Sequence, residues 1–284
     1  MPAAIFRLRL PYGEERLASG DALGGPRSVA PAEVTIDAIL GGDGPSLEEA
    51  ARMDGAAVSG DVILLPPVGT QEVWAAGVTY LRSREARVEE AIEASPYDRV
   101  YAAERPELFL KSAAWRVRGP SDPIGIRADS TWDVPEPELT LVLDSRMRIV
   151  GYTIGNDASS RSIEGENTLY LPQAKTYDGS CAIGPALVPV SQAEPPFGIR
   201  MSIERGGELV FDDATSTGQM ARPFDELAAY LGRGLTFPRG AFLMTGTGIV
   251  PDPPFTLEPG DVVSIAIDGL GTLTNPVELI GSGP

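Results

Sequence analysis

"DVPEPELTLVLDS", from Asp133 to Ser145, sets two glutamates, Glu136 and Glu138, one residue apart at the mouth of an apolar run, with a proline before each. The run has the length and the Leu/Val/Thr content of a buried strand. Residues i and i+2 of a strand share a face, so Glu136 and Glu138 project together while Leu139, Leu141 and Leu143 face the other way. Two carboxylates roughly 6 to 7 Å apart on one face repel unless positive charge sits between them. An isolated E-x-E is most often a solvated strand end, but here the neighbouring sequence argues otherwise. The next apolar run, "IVGYTIGND", ends in Asp157, and the short "DSRMR" turn between the two runs predicts antiparallel neighbours. A third carboxylate then meets the first two. Three hard oxygen donors suit Mg²⁺, Mn²⁺ or Ca²⁺, and the lack of His and Cys partners disfavours zinc and copper.

Outward from this stretch, the chain divides legibly. Before it, short apolar runs ("AIFRLRL", "AEVTIDAIL", "DVILLPP") alternate with turn-rich segments, and one helix is predicted around "SLEEAARM". This predicts a small N-terminal α/β domain over residues 1–68, closed by the breaker "LLPPVGTQ", and a larger domain over 69–284. In the second part, "VWAAGVTY" reads as a strand and "LRSREARVEEAIEAS" (81–95) as an exposed helix that covers a cleft. Short strands punctuated by Gly, Pro and Asp follow to the end, with one later helix at "PFDELAAYLGRG". The fold class is α+β, mainly β.

Composition removes several function classes. The chain has 284 residues, 43% of them hydrophobic, which is enough to bury a sizeable core. A net charge of −17 argues against nucleic acid or an anionic membrane as partner and leaves a small molecule. The absence of a secretory leader pattern and of a long apolar segment, together with a single cysteine, predicts a cytoplasmic protein. There is no histidine, so Ser-His-Asp and Cys-His nucleophiles and the two-His iron site cannot be assembled. Without an imidazole to activate it, Cys181 reads as a small buried residue. "GTGIVP" lacks the rest of a dinucleotide fingerprint and reads as a backbone turn.

Four blocks in order, "PEPELTLVL", "GYTIGNDASSR", "QAKTYDGSCAIGP" and "LMTGTGIVP", resemble the signature of the fumarylacetoacetate hydrolase superfamily, with the likeness running from about Val73 to Pro276. The resemblance implies a C-terminal mixed β-roll, a divalent metal held by Glu136, Glu138 and Asp157, Lys175 beside a bound 2-oxo acid, and a homodimer or homotetramer. Two departures stand out. The chain lacks the catalytic histidine of the superfamily's hydrolases, and Ser162 stands where an aspartate is common. Within the superfamily, "RPELFLK", "RADSTWDVPEPEL" and "RSIEGENTLYLPQAKTYDGSCAIGP" are similar to the 2-keto-3-deoxypentonate dehydratases.

That likeness implies a magnesium-dependent loss of water from a 2-oxo sugar acid to give 2-oxoglutarate semialdehyde, with Glu107 as the acid-base residue and Lys175 supporting negative charge on the carbonyl oxygen. None of these steps needs histidine, whereas hydrolytic carbon-carbon cleavage would lose its usual base. Tyr80, Tyr170, Gln173 and Thr247 are the candidate substrate contacts. Glu164 and Glu166 of "SIEGEN", with glycine between them, read as a lid or turn.

Overall fold

The computed structural model describes residues 1–80, 99–101 and 103–281, so the helix expected over 81–95 lies outside the described residues. The first strands are β1 (Ala3–Arg9), β2 (Glu15–Asp21), β3 (Gly25–Val29), β4 (Ala56–Ala57), β5 (Ile63–Leu65) and β6 (Val73–Gly77). The middle of the chain supplies β7 (Glu107–Ser112), β8 (Ile124–Arg127), β9 (Asp133–Val134), β10 (Pro137–Leu143), β11 (Ile149–Asp157) and β12 (Ser159–Ser160). It ends with β13 (Cys181–Pro189), β14 (Gly198–Arg205), β15 (Glu208–Ser216), β16 (Ala241–Met244), β17 (Val262–Ile267) and β18 (Gly271–Ile280).

Eleven of these form one sheet in the order β4-β3-β2-β1-β13-β11-β10-β16-β6-β7, with β5 paired to β1. A second sheet runs β15-β14-β17-β18-β8, and β9 pairs with β12. The sheets are mixed: β16 and β6 are parallel, as are β18 and β8, within otherwise antiparallel ladders. Ile5 of β1 pairs with Leu187 of β13, so the N-terminal strands extend the same sheet that carries β10.

The burial of β10 follows from what covers its two faces. Leu139, Leu141 and Leu143 join Ile199, Met201, Ile265 and Leu273 of the second sheet in one core. Val142 turns to the opposite face and joins Ile36, Leu40, Leu47 and Ala50 of two short helices in another. A strand covered on both sides has no solvent face, which is why its sequence reads as a near-continuous apolar run. A carboxylate at its mouth is therefore buried by the architecture.

Two local expectations are corrected. "AEVTIDAIL" forms a helix over Ile36–Gly41: Thr35 caps its start by accepting the Ala38 N–H, and Gly42 closes it in the left-handed conformation. "SIEGEN" likewise falls in a helix, Arg161–Glu166, started by the Ser160 hydroxyl accepting the Ile163 N–H. The helix at "SLEEAARM" is present over Leu47–Ala51 with a capping box of Ser46 and Glu49. Among the described residues no helix is long and apolar enough to cross a membrane.

Candidate active site

The hairpin of β10 and β11 brings the carboxylates together. Glu138 lies opposite Gly155, Pro137 opposite Asn156, and the Asp157 N–H donates to the Glu136 carbonyl at 3.0 Å. Pro137 begins β10, a position where a missing N–H does no harm. Oxygens of Glu136, Glu138 and Asp157 all lie within 4.8 Å of one another, and all three residues are buried.

Three buried cations meet these anions. Glu136 Oε1 accepts from Arg161 Nη2 at 2.8 Å and from Lys175 Nζ at 2.9 Å. Lys175 also donates to Asp157 Oδ2 at 3.1 Å and to Ser159 Oγ at 2.6 Å. The other oxygen of Asp157, Oδ1, lies 2.5 Å from Lys111 Nζ. Glu138 is held differently, by the Gly246 N–H at 2.6 Å. Its carboxyl is pushed well above the usual range, first by burial and then by the charges of Asp157 and Glu136; Lys175 and the Gly246 N–H pull the other way.

The residues present fit a divalent ion. The donor set is all oxygen and shut away from bulk water, and the upward push on Glu138, from burial first and then from the Asp157 and Glu136 charges, is one that a cation among them relieves. Lys175 donates to Glu136, Asp157 and Ser159, which matches the three donors of an ammonium, so its amine is built into the site as a fixed charge.

The loop after β16 depends on glycine. Gly246 has φ +89°, and a Cβ there would lie 2.0 Å from Thr79 Oγ1, which itself donates to the Thr245 carbonyl at 2.6 Å. Gly246→Ala is therefore expected to lower unfolding stability by at least ~1 to 3 kcal/mol from backbone strain alone, read in urea denaturation. A variant as stable as the parent would show that the loop can shift. Thr247 is buried, and its hydroxyl is used locally: it donates to the Ile249 carbonyl and accepts the Ile249 N–H, both at 3.1 Å.

The other expected residues are spread around this centre. Tyr80 is buried, bridges to Met220, and packs its ring where a Cβ on Gly248 would sit. Burial and the Glu138 charge push its phenol far up. Glu107 is half-buried at the start of β7 and pairs with Gly77. It shares a strand face with Phe109, whose ring centre is 5.8 Å from Lys175 Nζ, so that face turns toward the carboxylates. Tyr170, 37% exposed, caps the start of the short helix that ends in Lys175, and Gln173, exposed, lies within that helix. Cys181 is buried and its thiol is pushed up to about 12 by that burial, an inert small residue.

Sequence reasoning missed Lys111, Arg161 and Ser159. For Lys111 a signal existed: the chain contains two lysines, Lys111 and Lys175, against 21 arginines (23 basic residues less two), and both lysines are 0% exposed at this one site.

Residues 72–278 match the family described as fumarylacetoacetate (FAA) hydrolase C-terminal. A "probable 2-keto-3-deoxyxylonate dehydratase" of Haloferax volcanii is 54% identical over 216 residues, which is 75% of this chain and 74% of that one. A 2-dehydro-3-deoxy-D-arabinonate dehydratase of Saccharolobus solfataricus is 39% identical over 252 residues, 87% of this chain and 83% of that one. The solved structure of a 2-keto-3-deoxy-D-arabinonate dehydratase complexed with magnesium and 2,5-dioxopentanoate superposes with a TM-score of 0.84 at 33% identity, covering 97% of this chain and 99% of that one. By its sequence, its mixed β architecture and its relatives, the chain belongs to the fumarylacetoacetate hydrolase family.

Proposed function

We propose that this protein is a divalent-metal-dependent dehydratase that converts a 2-keto-3-deoxypentonate to 2,5-dioxopentanoate, the compound also called 2-oxoglutarate semialdehyde. The observation that carries the reading is the buried cluster of Glu136, Glu138 and Asp157 with the Lys175 ammonium fixed against it. The relatives named above act on substrates of this class, and one was solved with magnesium and that compound.

The three carboxylates would hold the ion, which when bound would supply Lewis acidity toward the carbonyl of a 2-oxo acid. Lys175 places a second, fixed positive charge beside the same site. It favours the negative charge that grows on the C2 oxygen as a C3 hydrogen leaves as a proton, and it needs no reorganisation to do so. Glu107 is the residue we assign to proton transfer, giving a proton to the departing C4 hydroxyl. A proton then leaves C5 and one returns to C3, and the enol so formed ketonises, losing its C5 hydroxyl proton as C4 is protonated, so the net change is loss of one water. The buried walls of Tyr80, Thr245 and Lys175 keep competing water away from the reacting carbons. Because the chain has no histidine, the same site lacks the imidazole base on which the hydrolytic reaction of the superfamily relies.

The direct test is incubation with both C4 epimers of 2-keto-3-deoxypentonate and Mg²⁺, with products identified by mass and NMR. At least one epimer is expected to lose one water and yield an aldehyde. Cleavage of an acylpyruvate with no turnover of either epimer would overturn the assignment in favour of hydrolysis. Binding of 2-oxo acids with no turnover of any would leave a binding protein.

A further inference from the structure

Lys111 sits on β7, the last strand of the large sheet, yet its side chain is fully buried. The ladder shows how: Trp74 pairs with Leu110 and Val73 with Ser112, so Lys111 is the extra residue of a bulge. Bulges re-aim a side chain at the expense of a ladder pair. The ammonium so aimed forms an ion pair with Asp157 Oδ1 at 2.5 Å and donates to the Ala158 carbonyl at 2.9 Å and to the Lys175 carbonyl. It also lies 5.8 Å from the centre of the Tyr177 ring, which the Arg127 guanidinium approaches to 5.6 Å.

We propose that Lys111 is a positioning residue of the metal centre: it fixes the Asp157 carboxylate, and the main chain that carries Lys175, in the arrangement a divalent ion requires. Two segments meet at this one nitrogen. One ends β11 with a proposed metal ligand and runs on through Ala158 to Ser159, which accepts from Lys175, and the other ends the helix that presents Lys175. Asp157 has its Oδ1 held by Lys111 and its Oδ2 by Lys175, so the carboxylate cannot swing away from Glu136 and Glu138 without breaking both contacts. A bound cofactor, substrate or proton need not touch Lys111 for this to hold. The inference rests on the metal-dependent reading above.

Mn²⁺ serves as the probe, with binding followed by electron paramagnetic resonance and by its effect on Tm, in the stripped full-length protein and in Lys111→Met, Asp157→Asn and the double variant. Partners that orient metal ligands commonly contribute ~10- to 100-fold to affinity or activity. Lys111→Met is expected to weaken Mn²⁺ binding by that range, to shrink the Mn²⁺-induced rise in Tm, and to lower kcat more than it raises KM. If Lys111 acts through Asp157, the double variant binds Mn²⁺ no worse than Asp157→Asn alone. The double variant also removes the buried pair together, so it carries the test should the single lysine variant fail to fold. A folded Lys111→Met with parent-like or tighter Mn²⁺ affinity, or a fully additive loss in the double variant, overturns the proposal. Failure of the parent to bind Mn²⁺ would instead overturn the metal-dependent reading itself.

Discussion

Stripping the protein with EDTA is expected to abolish dehydration, and Mg²⁺ or Mn²⁺ to restore it. The cleanest single change is Glu138→Gln. Glu136 anchors both Arg161 and Lys175, so neutralising it would leave two buried cations short of an anion and mix a folding effect with a binding one. Glu138 is held by the Gly246 N–H, which an amide oxygen can accept equally well. Loss of one anionic ligand should weaken the ion and remove several kcal/mol of transition-state stabilisation, roughly 10²-fold or more in turnover. Tm of the stripped variant should match or exceed that of the stripped parent, since an amide needs no counter-charge in a buried site. Full turnover after exhaustive chelation would refute a metal role.

Glu107→Gln should behave differently. If Glu107 moves the proton while the three carboxylates hold the ion, the variant binds Mn²⁺ as the parent does and keeps its Tm, yet loses ~10²- to 10⁴-fold in turnover, the usual worth of a positioned acid-base group. A structural ion-pair role makes the opposite forecast of a lower Tm with turnover per folded molecule intact. Metal affinity, Tm and turnover measured on one preparation separate the two. Near-normal turnover in a folded, metal-loaded variant would remove Glu107 from the mechanism.

What the sequence disclosed and what it hid have physical reasons. The Glu136–Glu138–Asp157 cluster was legible because strand periodicity fixes which residues share a face and a short turn fixes which strands are neighbours. Both rules are local. The helix at Ile36–Gly41 was misread because "VTID" carries β-branched residues and the apolar run is too short for its period to decide; its real markers were Thr35 at one end and Gly41-Gly42 at the other. Gly165 made "SIEGEN" look like a loop, while the Ser160 cap that begins its helix is a weaker signal in sequence. Lys111 was hidden for a deeper reason. Its role depends on a bulge in β7 and on two segments some 47 and 64 residues later in the chain, and no local pattern encodes that meeting. Rarity was its one visible mark.

That rarity also shapes the chemistry the folded protein shows to the outside. With both lysines sealed inside, the surface side chains carry their positive charge as arginine. An acylating reagent at neutral pH should label Lys111 or Lys175 only when the centre opens. The acylation rate of those two residues is then a clock for opening, and it should slow when metal and a 2-oxo acid are bound together.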